Sequence, residues 1–282
     1  MAEYKDIHGT TIRNSAGNLA GAKTGELFYD STNRDFKYQF PNVTTAGAWR
    51  TQTSLNTDRD QTAGAGTTTS TLIFGGGPPV IGNTESWDGS SWTEVADLNE
   101  ARRGLAAAGE SNTASLAFSG IVSPPTSVNT ELWNGSAWTQ VNDVNAYRGF
   151  GSGTGTSTSA LFFAGGTASD GGTPFVTNNE SWNGTSWTEV ADLNAGRSAI
   201  GAAGADNTSA LGFGGSPPSN TSANESWNGT SWTEVADLNT ARRGLGGAGA
   251  NNTSAVGFGG YTTTAVAITE MWDGSSWTET GD

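Results

Sequence analysis

The sequence predicts an all-β protein: a β-propeller of five four-stranded blades. Two observations predict it. The motif Glu-x-Trp-(Asp/Asn)-Gly-x-x-Trp occurs five times, from Glu85, Glu131, Glu180, Glu225 and Glu270, with its first Trp at 87, 133, 182, 227 and 272. Two further signals keep the same phase: a Leu/Val-Asn pair followed by Arg, and an apolar run ending in small residues. A unit of about 45 residues built of short strands is the period of propeller blades, and five units fall within the usual blade number.

Each unit reads as four strands, a to d. Strand a follows the Arg and is almost wholly Gly and Ala, as in Gly244-Leu245-Gly246-Gly247-Ala248-Gly249. Glycine inside a strand marks close approach of another backbone, which the crowded axis of a propeller demands. Strand b is the run Leu72-Ile73-Phe74-Gly75-Gly76 and its counterparts. Strands c and d form the Trp hairpin. With Asp88-Gly89 as a two-residue turn, Trp87 would pair with Ser90 and Glu85 with Trp92. Alternation then puts Glu85, Trp87, Trp92 and Glu94 on one face. The ten hairpin tryptophans, Trp87, Trp92, Trp133, Trp138, Trp182, Trp187, Trp227, Trp232, Trp272 and Trp277, are expected to pack between blades as structural repeat residues. The blades run over approximately 54–96, 97–142, 143–191, 192–236 and 237–282.

Gly-Gly closing strand b, with Trp and Arg later in the unit, resembles the kelch repeat. In the fifth unit the matching residues are Gly259-Gly260, Trp277 and Arg242, and the resemblance covers 54–282. It implies a kelch-type propeller; the doubled Trp departs from the family pattern. The family includes a copper oxidase whose site needs His, Tyr and Cys ligands. With no Cys and a single His, His8, this chain cannot build that site or a zinc site.

Residues 1–53 do not repeat. Gly25–Asp30 and Asp35–Phe40 read as two strands around Ser31-Thr32-Asn33-Arg34, and Ala48-Trp49-Arg50-Thr51 resembles a strand d without its Glu-x-Trp partner. The segment either caps the ring, completes it as an incomplete sixth blade, or attaches the protein to something else. The stretch Ile12–Leu19 followed by Gly25-Glu26-Leu27-Phe28-Tyr29 resembles the start of tail-fibre and other virion proteins of tailed bacteriophages, marine ones especially. That resemblance implies a virion protein made in the host cytoplasm. It would be anchored to other virion proteins through residues 1–53 and form homo-oligomers.

Composition narrows the function. A net charge of −14 argues against nucleic-acid binding. The N-terminus lacks a signal-peptide pattern and no apolar run reaches membrane-span length, so no membrane insertion is expected. The repeat Glu and Arg residues recur at one blade position each, which suits a structural partnership better than catalysis. No catalytic residue, metal or cofactor is expected; the alternatives to a binding appendage are a purely structural virion decoration protein and a propeller glycan hydrolase or lectin. The connections between strands b and c vary most: 77–84, 121–130, 167–179, 216–224 and 261–269. Variable loops on a rigid scaffold are where recognition usually sits. Asp170, Phe175 and Tyr261 are therefore the candidate ligand-binding residues, with a host-surface glycan or protein as the expected ligand.

Overall fold

The computed structural model describes residues 13–15, 27–30, 35–38, 49–122, 126–168, 173–216 and 219–281. The chain divides into two compact units, 1–48 and 49–282. The propeller unit therefore begins at Trp49, where the sequence put the boundary after residue 53. In the first unit, Arg13–Ser15 pairs in parallel with Leu27–Asp30, which pairs antiparallel with Asp35–Tyr38. The second unit holds five four-stranded antiparallel sheets, each a simple meander from strand a to strand d. Strand a of each blade touches strand a of the next, from Ala63–Thr67 through Ala106–Ser111, Ser152–Gly155 and Gly201–Asp206 to Gly246–Asn251. These inner strands form the axis of the propeller.

The glycines of strand a have the expected cause. A Cβ on Gly153 would lie 2.4 Å from the carbonyl oxygen of Ala107, and one on Gly247 2.3 Å from that of Ala202, each in the preceding blade. The small pair closing strand b is also dictated by backbone shape. Its first position is left-handed, with φ between 57° and 67°, and Ser119 and Ala164 stand there in two blades. Its second position has φ between 104° and 120° and is Gly in all five, a region effectively closed to any side chain.

The Trp hairpin differs from the expected register. Trp87 pairs directly with Trp92 and Glu85 with Glu94, so the loop is four residues long, Asp88 to Ser91. The same holds in the other four blades. The physical reason is the Asp/Asn side chain. Asp88 Oδ1 accepts hydrogen bonds from the backbone N–H groups of Ser90 and Ser91, at 2.8 and 2.9 Å, and thereby closes a wider turn. The shared face of Glu85, Trp87, Trp92 and Glu94 survives, because the shift is an even number of residues.

The two tryptophans of each hairpin touch, with ring centroids 5.2 to 5.5 Å apart. Their jobs differ. The first stays in its own blade and donates its indole N–H to a carbonyl of the a–b turn, as Trp133 does to Asn112 at 2.9 Å. The second reaches the preceding blade: Trp138 packs on Phe74, Trp187 on Phe118, Trp232 on Phe163 and Trp277 on Phe213, at 4.8 to 4.9 Å. Four core clusters alternate with the blades on this basis.

Candidate functional site

Every repeat Arg and Glu is committed inside its blade. Arg148 and Glu180 are both buried, with Nη2 2.8 Å from Oε1. Arg148 also donates to the carbonyl oxygen of Asn178 at 2.6 Å, while Glu180 Oε2 accepts from the backbone and side-chain N–H groups of Asn145, both at 2.8 Å. The pairs Arg59–Glu85, Arg102–Glu131, Arg197–Glu225 and Arg242–Glu270 repeat the arrangement. Burial pushes the Arg148 pKa down to about 10, with Glu180 opposing the shift, so the guanidinium stays charged at neutral pH. A carboxylate saturated by one Arg and one Asn has no freedom to act on a substrate. These residues pin the d–a connection to strands b and c.

The variable groups gather at one end of the ring, where strand a begins and strand b ends. Immediately before each strand a stands a left-handed residue: Gln61, Gly104, Phe150, Ala199 and Gly244, with φ between 51° and 60°. They form a backbone chain across the blades. Gly104 N–H donates to Gln61, Phe150 to Gly104, Ala199 to Phe150 and Gly244 to Ala199, at 2.8 to 2.9 Å. They rim an axial cavity of about 520 Å³, lined by glycine and alanine backbone with Leu105, Phe150, Ile200 and Leu245. No lining residue carries a titratable side chain. Among the described residues no three His, Cys, Asp or Glu side chains gather as a metal site would require.

Around this rim lie the described residues of the b–c loops, each pinned at or just before its first residue to the strand-a entry: Gly77 to Asp60, Ile121 to Arg103, Gly166 to Gly149, Ser216 to Ser198 and Tyr261 to Arg243. The three sequence candidates fall differently. Asp170 lies outside the described residues. Phe175 is half-buried; its backbone is bridged to Gly166, and its carbonyl oxygen lies close against Gly196. Tyr261 is 41% exposed. The Arg243 guanidinium lies 4.8 Å from its ring centroid and donates to Asn220 Oδ1 at 3.1 Å. Asn220 in turn donates to the carbonyl oxygens of Tyr261 and Thr262, both at 2.8 Å. Two neighbouring b–c loops are thus tied into one platform.

Arg243 and Asn220 were missed in the sequence, although a signal for Arg243 existed. The position after the repeat Arg is Asp60, Arg103, Gly149, Ser198 and Arg243, so it varies in phase with an otherwise constant repeat.

No family model and no curated protein matches the chain. Among solved structures it is similar to one described as the structure of YjhT, at 12% identity and a TM-score of 0.67, covering 82% of this chain and 86% of that one. At this identity the likeness shows the fold alone: a β-propeller, here with five four-stranded antiparallel blades.

Proposed function

We propose that this chain is a non-enzymatic structural and binding protein of a bacteriophage virion, a tail fibre or related appendage, built on a kelch-type propeller. Residues 1–53 attach it to other virion proteins, and the b–c loop face meets a glycan or protein of the host surface. The observation that carries the reading is the contrast between the repeat, which is spent on its own architecture, and the platform of Tyr261, Arg243 and Asn220. There an exposed aromatic ring sits beside a cation that has no carboxylate partner among the described residues. A ring with adjacent N–H donors suits the apolar face and hydroxyl edge of a sugar. Each such contact is weak, and several copies on one particle would supply the avidity. The cavity lining and the saturated Glu–Arg pairs argue against hydrolysis.

The test is binding of labelled full-length chain to immobilised neutral and acidic bacterial polysaccharides and to envelope fractions, with fluorogenic glycosides run in parallel. Capture that falls at least about tenfold in Tyr261→Ala, without release of product, is expected. Equal capture by the variant would remove the loop face from the reading. Steady product release would replace binding by catalysis. No capture by any surface would leave a decoration role.

A further inference from the structure

The arginines of the propeller unit fall into two groups. From residue 49 onward the chain has eight Lys and Arg residues, all of them Arg, against 22 Asp and Glu. Five are the staples, whose side chains are at most 1% exposed and are each paired with the repeat Glu. The other three are Arg50, Arg103 and Arg243. Arg103 and Arg243 occupy the same repeat position, each directly before a left-handed rim glycine, Gly104 or Gly244. In an acidic unit, two of the three cations not spent on staples therefore stand beside the rim of the axial cavity.

The two are held differently. Arg103 is half-buried, donates to Gln61 Oε1 of blade one and bridges to Ile121. Arg243 is exposed and bridges to Tyr261, where the other four blades have Gly77, Ile121, Gly166 and Ser216. Blade five alone sets an arginine against an aromatic ring. Asn220 fixes the pair. Its amide N–H groups go to the Tyr261 and Thr262 carbonyls, and its Oδ1 takes one N–H of Arg243. A guanidinium has five N–H donors. The remaining side-chain donors of Arg243 meet no acceptor among the described residues.

We infer that this platform takes a carboxylated sugar, a uronate unit of an acidic surface polysaccharide, with the Arg243 fork on the carboxylate and the Tyr261 side chain against the same sugar. The inference rests on the loop-face reading and narrows its ligand. A planar guanidinium matches a carboxylate with two parallel N–H···O bonds, which a hydroxyl or an uncharged ester cannot equal. Tyr261, 41% exposed, keeps apolar surface free beside the cation. A uronate carries its carboxyl directly on the sugar ring, so one unit reaches both groups. The acidity of the rest of the chain is a weak opponent at physiological salt, where charges beyond about 8 Å are largely screened. Asn220, with its amide N–H groups already spent, is a positioning residue that aims the guanidinium.

The experiment measures binding of the full chain to immobilised polygalacturonate, alginate and hyaluronan, each beside its methyl ester, at about 0.15 M salt. The ester keeps the sugar and removes the charge. Binding at least about tenfold tighter to one or more of the acids than to its ester is the expected result. Arg243→Gln should bring that acid down to the level of its ester, while its amide can still donate to Asn220 and keep the loops joined. Arg103→Gln makes the same charge change on the same rim and should shift binding less than about twofold. Acid and ester held equally, with Tyr261→Ala weakening both, would overturn the carboxylate and leave the loop-face reading standing. Equal losses in Arg103→Gln and Arg243→Gln would mean general attraction of a polyanion to the rim, and would overturn the site. So would binding to none of the polymers while Tyr261→Ala still abolishes capture by envelope fractions. If that capture were also indifferent to Tyr261→Ala, the loop-face reading would fall with it.

Discussion

The four interfaces between described blades and the outer edge of blade five are built to one plan, and the edge carries only part of it. Each closed interface has three fasteners: a Trp on a Phe, a backbone hydrogen bond between left-handed residues at the rim, and a clamp at the opposite end. In the clamp between blades one and two, Asn112 binds Ser70 Oγ through its backbone N–H and donates from Nδ2 to Ser86 Oγ and the Trp87 carbonyl. Asn207 and Asn252 do the same two and three interfaces further on. At the edge of blade five the Trp contact alone is present among the described residues, made by Trp49, which is 57% exposed against 6% for Trp187. The comparison teaches that a propeller interface is modular. Stability should add up interface by interface, as in other repeat proteins.

The largest expected losses test the fasteners of the closed interfaces and the staples beneath them. Glu180→Ala leaves Arg148 buried and uncompensated and should cost about 3–5 kcal/mol by urea denaturation. Trp187→Ala opens a cavity between blades two and three and should also cost about 3–5 kcal/mol. Trp49→Ala sharpens the comparison. Its ring is 57% exposed, so the variant should cost about 1 kcal/mol, well below Trp187→Ala.

The clamp between blades two and three shows that the plan is read in pairs. There the turn residue is Ser157, which binds Glu110 through its backbone N–H and hydroxyl at 2.9 and 3.1 Å. Blade two carries Ala114 and Leu132 at the two repeat positions where the other interfaces have serines. Asn207→Ala should cost about 1–3 kcal/mol, because Ser159 and Ser181 lose their partners. Ser157→Asn should also destabilise, by about 1–2 kcal/mol, since an amide placed against Ala114 and Leu132 finds no hydroxyl. A stabilised Ser157→Asn variant would show that the clamps are interchangeable and the pairing incidental.

Most of this architecture was legible in the sequence because repetition multiplies a weak signal fivefold. The Gly-rich inner strand, the small pair after strand b and the Arg–Glu partnership each follow from a constraint met at every blade. The hairpin register was not legible. Asp-Gly suits a two-residue turn, and only the hydrogen bonds from Ser90 and Ser91 to Asp88 select the wider one. The platform at Tyr261 was half legible. An odd residue in a variable loop is visible in the sequence, but its partner Asn220 comes from a different loop, and no periodicity links the two.

The smallest expected effect concerns the hairpin tips, where blades one and five carry Asp and the three between them carry Asn. Asp88 and Asp273 are exposed, and their pKa values are lowered to about 2. The serine hydroxyl two residues on is the largest cause, followed by the backbone N–H groups of the turn. The folded-state pKa lies below the unfolded 3.8. The contribution is therefore present above that value and is lost as pH falls towards 2. Asn134, Asn183 and Asn228 accept the same backbone hydrogen bonds without titrating. The double variant Asp88→Asn, Asp273→Asn should thus lose less melting temperature between pH 5 and pH 2.5 than the parent, while the buried Arg–Glu pairs contribute equally to both. An equal fall would mean that these tips fray in solution, and that the hairpins are held from their Trp ends alone.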